Sequence, residues 1–119
     1  MAKRKLYVSL LRAEIVDTID GLRELSVTLE RRLNGGEITN YVFNENDALL
    51  KNEISGLQKL LPQIDSFDAA AYPDVNTLAQ TLGNMLQSKI ETLDDPRAVQ
   101  EIIRRKQKKI MKYLNEQAD

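Results

Sequence analysis

The sequence predicts an all-α protein: an antiparallel bundle of three to four helices with a long N-terminal helix, in a single domain over residues 1–119. Three observations predict it. Apolar residues recur at steps of 3 and 4 in successive segments, which is the spacing of one helix face. Aromatic residues make up 5% and Trp is absent, so aliphatic side chains have to fill the core, as in helix-on-helix packing. Breakers at Asn34-Gly35-Gly36, Pro73 and Asp94-Asp95-Pro96 divide the periodic segments. At 119 residues the chain can bury roughly two-thirds of its unfolded surface.

Residues 5–33 form the first helix, with Val8, Leu11, Ile15, Thr18, Leu22, Leu25 and Leu29 as a heptad-like stripe. Asn34-Gly35-Gly36 stops it, because these residues tolerate the left-handed conformation that ends helices. Segment 37–43 is β-branched and aromatic, and reads as an ordered connector anchored by Tyr41 and Phe43. A second helix starts at Asn44, with Leu50, Ile54, Leu57, Leu61 and Ile64 on one face. Pro62 ends that helix near Leu60 or kinks it. Residues 65–73 form a loop with one helical turn across 68–72. The third helix covers 74–93 with Val75, Leu78, Leu82, Met85 or Leu86, and Leu93 inward. Asp95 before Pro96 marks the start of the fourth, which runs to about Leu114. Leu22, Leu25, Leu57, Leu82, Leu86 and Ile103 are expected to be buried. A first helix of about 29 residues, ~43 Å, overhangs partners of ~27–30 Å.

Charge is distributed unevenly along a chain of net −1. Residues 36–95 hold ten acidic side chains and three basic ones, Lys51, Lys59 and Lys89. From residue 97 to 112 there are seven basic residues and one acidic residue, Glu101. On a helical wheel Val99, Ile102, Ile103, Ile110, Tyr113 and Leu114 share one face, while Arg97, Arg104, Arg105, Lys108, Lys109 and Lys112 share the other. Lys106 projects inside the apolar arc, where its stem suits the edge of the core. A cationic stripe of this kind suits an acidic protein partner or the phosphates of nucleic acid. It is above all what a solvated helix face beside an acidic middle segment looks like.

The third helix is unusual in the opposite sense, because residues 75–88 carry no charge at all. Behind its leucines lie Asn76, Gln80, Gly83, Asn84 and Gln87, a neutral polar face that suits self-association, with a two-fold dimer as the default. A mid-helix glycine such as Gly83 often signals close approach of a second element.

Absences narrow the chemistry. Without His or Cys the chain has no Ser–His or Cys–His nucleophile pair, no thiolate zinc site and no disulfide. Glu14-x-x-Asp17 and Glu91-x-x-Asp94 have the spacing with which all-helical phosphohydrolases hold magnesium, but Glu14 and Asp17 fall outside the apolar arc, toward solvent. Gly35-Gly36 lacks the strand and Lys of a phosphate loop. The stretch at residues 6–11 is too short for a signal segment and no run suits a membrane helix, so a cytoplasmic location is expected. The expected function is a non-enzymatic, self-associating helical interaction module, an adaptor, scaffold or regulatory subunit, with no cofactor and no metal. The alternatives are a nucleic-acid-associated protein acting through the basic helix and, remotely, a metal-dependent phosphohydrolase.

Overall fold

Local capping chemistry sets the helix boundaries at Gly36, Thr39 and Asp74, whereas Asp95 makes no side-chain cap hydrogen bond and Pro96 alone marks the last restart. The structure, a computed structural model, describes residues 2–117. Helix α1 spans Ala2–Asn34, α2 Asn40–Asp65, α3 Val75–Ile90 and α4 Pro96–Asn115, with a short 3-10 turn at Ala69–Ala71 between α2 and α3. No strand occurs among the described residues. At the end of α1 the Glu37 amide donates to the Arg32 carbonyl and the Gly36 amide to Leu33. Gly36 sits at φ +75°. Together these form a Schellman cap, which needs a residue that takes positive φ without strain. Asp74 caps α3, its Oδ1 accepting the Thr77 amide at 2.7 Å.

Helix α1 starts at Ala2 rather than residue 5, and α3 ends at Ile90 rather than residue 93, where the Glu91 amide closes the last turn on the Gln87 carbonyl. Both ends of α2 also differ from the sequence expectation. Helix α2 begins at Asn40 rather than Asn44, because the Thr39 hydroxyl accepts the Val42 amide and supplies the missing cap. The β-branched run at 37–43 is therefore mostly helix, and Tyr41, 73% exposed, anchors nothing. Strand propensity is a weak preference that a cap and a following helix override. Helix α2 also continues through Pro62 to Asp65. Burial of Leu60 and Ile64 on either side keeps the turn helical, and Arg12 Nε, donating to Asp65 Oδ1 at 2.7 Å, ties its end to α1.

The four helices run up, down, up and down. Their shared core comprises Tyr7, Leu11, Ile15 and Ile19 of α1, Leu57, Leu60 and Ile64 of α2, Leu78, Leu82, Leu86 and Ile90 of α3, and Val99, Ile102, Ile103, Ile110 and Leu114 of α4. Leu57, Leu82, Leu86 and Ile103 are buried as the pattern predicts, whereas Leu22 is half-buried and Leu25 is 53% exposed. The inward stripe of α1 steps by 4 from Tyr7 to Ile19. That stripe drifts across the face because α1 meets three helices there rather than one.

Above Ile19 the core stops. No residue from 20 to 55 is buried, and α1 and α2 continue there as a two-helix arm. Its length is about 22 Å at 1.5 Å per residue, on a molecule 55 × 30 × 19 Å. Within the arm the half-buried Leu22, Ser26, Leu29 and Leu33 of α1 and Phe43, Asp47, Leu50 and Ile54 of α2 step by 3 and 4, forming a single seam. Ser26 Oγ donates to Asp47 Oδ1 across it at 3.4 Å.

Candidate interaction surfaces

Exposed apolar side chains concentrate on the arm. Seven large hydrophobic residues are exposed among the described residues, and five of them, Leu25, Val27, Tyr41, Val42 and Leu49, are arm residues. A folded domain exposes single apolar residues routinely, and here most of them sit on one projection. Two features of the sequence point there: the overhang of the long first helix and the persistence of its stripe beyond the core.

The basic residues of α4 divide into two groups. Arg97, Arg104, Arg105, Lys108 and Lys112 are exposed and make no ion pair among the described residues. Lys109 Nζ lies 2.6 Å from Glu14 Oε1, and Lys106 Nζ 3.2 Å from Glu14 Oε2. Glu14 is thus drawn against α4, its side chain 20% exposed, rather than turned to solvent as its wheel position suggested. The hydrogen bond from Lys109 chiefly, helped by Lys106 and opposed by desolvation, holds the Glu14 carboxyl below its usual 4.5. Lys106 and Lys109 are therefore structural cations that clamp α4 to α1, and the free stripe is narrower than the seven-residue run.

The neutral face of α3 borders α4. Gln80, Gly83, Asn84 and Gln87 line an open groove of about 600 Å³ whose far wall carries Arg104, Gln107 and Lys108. Gln80 and Asn84 are exposed, Gly83 and Gln87 half-buried, and Asn76 lies outside the groove on the first turn of α3. A Cβ at Gly83 would stand 3.1 Å from Gln107 Nε2, so this glycine accommodates α4 of the same molecule. Tyr7 lies beneath, fully buried. Burial pushes its hydroxyl above the usual 10.0, with the side chain of Gln107 opposing. That contact falls short of hydrogen-bond geometry, and the hydroxyl has no hydrogen-bond partner among the described residues.

No group of three or more His, Cys, Asp or Glu side chains gathers among the described residues, so Glu14-x-x-Asp17 and Glu91-x-x-Asp94 do not converge into a cluster. No described helix is long and apolar enough to cross a membrane. Compared with known proteins, the chain matches no protein-family model, no curated protein and no solved structure.

Proposed function

We propose that this protein is a non-enzymatic helical interaction module, an adaptor, scaffold or regulatory subunit that works through helix faces and associates with itself. The observation that carries this reading is the arm: two helices projecting from a well-packed body, with five exposed apolar side chains and no buried residue of their own. A body with sixteen buried hydrophobics is stable enough to hold such a projection in place. Helix-in-groove and helix-on-helix recognition need nothing more than this kind of surface.

A second reading rests on the exposed cations Arg97, Arg104, Arg105, Lys108 and Lys112, which no carboxylate of the described chain neutralises. Such a stripe suits phosphates of nucleic acid or an acidic protein. The two readings separate in one comparison of variants. Changing Leu25 and Leu49 to Asp should abolish capture of partners from cell extract while leaving the circular dichroism and Tm nearly unchanged, since both side chains are about half exposed. Changing Arg104, Arg105 and Lys108 to Ser should leave that capture intact. If the serine variant alone loses its partners, and binding of the wild type to heparin falls steeply with salt, the phosphate reading replaces the arm.

A further inference from the structure

Tyr7 carries the only buried side-chain polar atom that lacks a hydrogen-bond partner among the described residues. A phenylalanine would pack as well there, and an unmatched buried hydroxyl is costly. The hydroxyl faces the underside of the groove between α3 and α4, next to the side chain of Gln107. Gly83 makes room for that side chain, since a Cβ would stand 3.1 Å from Gln107 Nε2. Position 7 therefore puts a polar group where the core has no use for one and the groove does.

The walls of the groove are likewise unmatched. Gln80, Asn84, Gln100 and Gln107 make no side-chain hydrogen bond among the described residues, and Gln87 makes only a long one, 3.4 Å to Glu91. Arg104 and Lys108 have no ion pair among the described residues, and no carboxylate lines the groove. The approach of Gln107 to Gly83 fixes the register of the antiparallel pair. Gln87 thus faces Gln100 at one end, Gln80 faces Met111 at the other, and the two cations straddle the centre. Glu91 and Glu101, both exposed, stand by helical position at the Gln87 end.

These features select the occupant. A docked helix needs apolar anchors one turn apart, and single-stranded nucleic acid needs an exposed ring on which to stack. The groove supplies neither, because Ala79 and Met111 are half-buried and the Tyr7 ring is fully buried. A small molecule is enclosed by mostly apolar walls, whereas this groove is open and lined by amides. An extended peptide fits. Its backbone groups on one edge recur every ~6.6 Å. Gln80 and Asn84, like Gln100, Arg104 and Lys108, recur every ~6 Å along their helices. A primary amide matches a peptide group, donor to acceptor and acceptor to donor. Gln100 and Met111 stand about 16 Å apart along α4, the length of about five extended residues. Two unpaired cations at the centre call for an acid there.

We infer that this groove binds an extended acidic peptide of a partner protein, its backbone paired with the wall amides and one carboxylate held between Arg104 and Lys108. That carboxylate is an Asp or Glu side chain or a chain end. Tyr7 is a positioning residue: after a small turn of Gln107 its hydroxyl donates to Gln107 Oε1, which aims Nε2 at a peptide carbonyl. The groove lies apart from the arm, so the inference goes beyond the interaction-module reading, and either stands without the other.

NMR titration of the isotope-labelled full chain with acetyl-Ala-Ala-Glu-Ala-Ala-amide tests this. The expected shifts fall on the side-chain amides of Gln80, Asn84, Gln87, Gln100 and Gln107, with a Kd on the order of 1 mM. Acetyl-glutamate amide, the same charge without a chain, binds at least ~10-fold more weakly, and so does the peptide amide with Gln in place of Glu. Affinity regained by the Gln peptide with a free carboxyl end assigns the carboxylate to a chain end, and affinity not regained assigns it to a side chain. Arg104→Gln weakens binding by ~10-fold. Tyr7→Phe leaves the Tm unchanged or higher and weakens binding by about 3-fold. Gly83→Ala displaces Gln107 and weakens binding, whereas Gly21→Ala, on the arm where nothing stands within 4 Å of the new Cβ, leaves it unchanged. No shift at ~10 mM peptide overturns the inference. Equal shifts with acetyl-glutamate amide mean a simple anion site, and also overturn it. Shifts of Gln80 and Asn84 that follow protein concentration instead place a second copy on α3. A Tm lowered by Tyr7→Phe shows the hydroxyl satisfied within the fold. Either result removes the peptide site.

Discussion

Leu82→Ala should lower the unfolding free energy by ~2–5 kcal/mol, a large share of the ~5–15 kcal/mol that holds a domain together. Leu82 is fully buried on α3, the shortest of the four helices, amid side chains from all the others. Truncation leaves a void that neighbouring leucines fill only in part. Leu25→Ala is the same chemical change at a position that lies on the stripe of α1 but is half exposed. It should cost less than about 1 kcal/mol, because little apolar surface leaves water there on folding. Denaturant titration of both variants measures the pair. Equal losses would mean that the arm is packed as tightly as the body, which its burial pattern contradicts.

Gly56→Val should lower stability by about 3 kcal/mol, and even Gly56→Ala should destabilise. Alanine favours a helix over glycine by ~1 kcal/mol, so propensity alone predicts a gain. Geometry opposes it. The new Cβ would meet Val99 Cγ2 at 2.8 Å and Leu93 Cδ1 at 3.1 Å. Leu93 is half-buried and can turn aside, but Val99 is buried and its branched side chain has one favoured rotamer in a helix. The first turn of α4 must therefore move, and overpacking of this kind typically costs 1–3 kcal/mol, enough to outweigh the helical gain. Thermal unfolding of Gly56→Ala beside Gly21→Ala gives the check, since one substitution should lower the Tm and the other raise it. A rise for both would show that α4 approaches α2 less closely than the structure has it.

The helix class, the stop at Asn34-Gly35-Gly36 and the restart at Pro96 are legible in the sequence because each is local chemistry. The start of α2 was hidden in Thr39, a capping residue inside a run whose composition favours strand. Passage through Pro62 depends on the burial of Ile64, which only the assembled bundle decides. Most instructive is Leu25. Its place on a heptad stripe says which side of α1 packs, but not how many helices meet it there. Near the core α1 touches three partners, and along the arm only α2, although the spacing barely changes. The candidate site was legible in outline as an overhanging first helix. Its particular face was not, since Val42 and Leu49 lie off the main stripe of α2 and matter only where α4 has ended. On α4 the charge run was plain, but the capture of Lys106 and Lys109 by Glu14 depends on a contact 95 residues apart.

The meeting of two arms can be read directly through cysteine cross-linking, because the natural chain contains no Cys. A disulfide needs Cα atoms within about 7 Å, so it forms readily only between positions that already face each other. Leu25 lies exposed on the arm, whereas Gln80 lies on α3, away from it. Under mild oxidation Leu25→Cys should give a disulfide-linked dimer rapidly at micromolar protein, and Gln80→Cys should stay monomeric on reducing-agent-free gels. Rapid cross-linking of Gln80→Cys with none for Leu25→Cys would contradict the arm-to-arm contact.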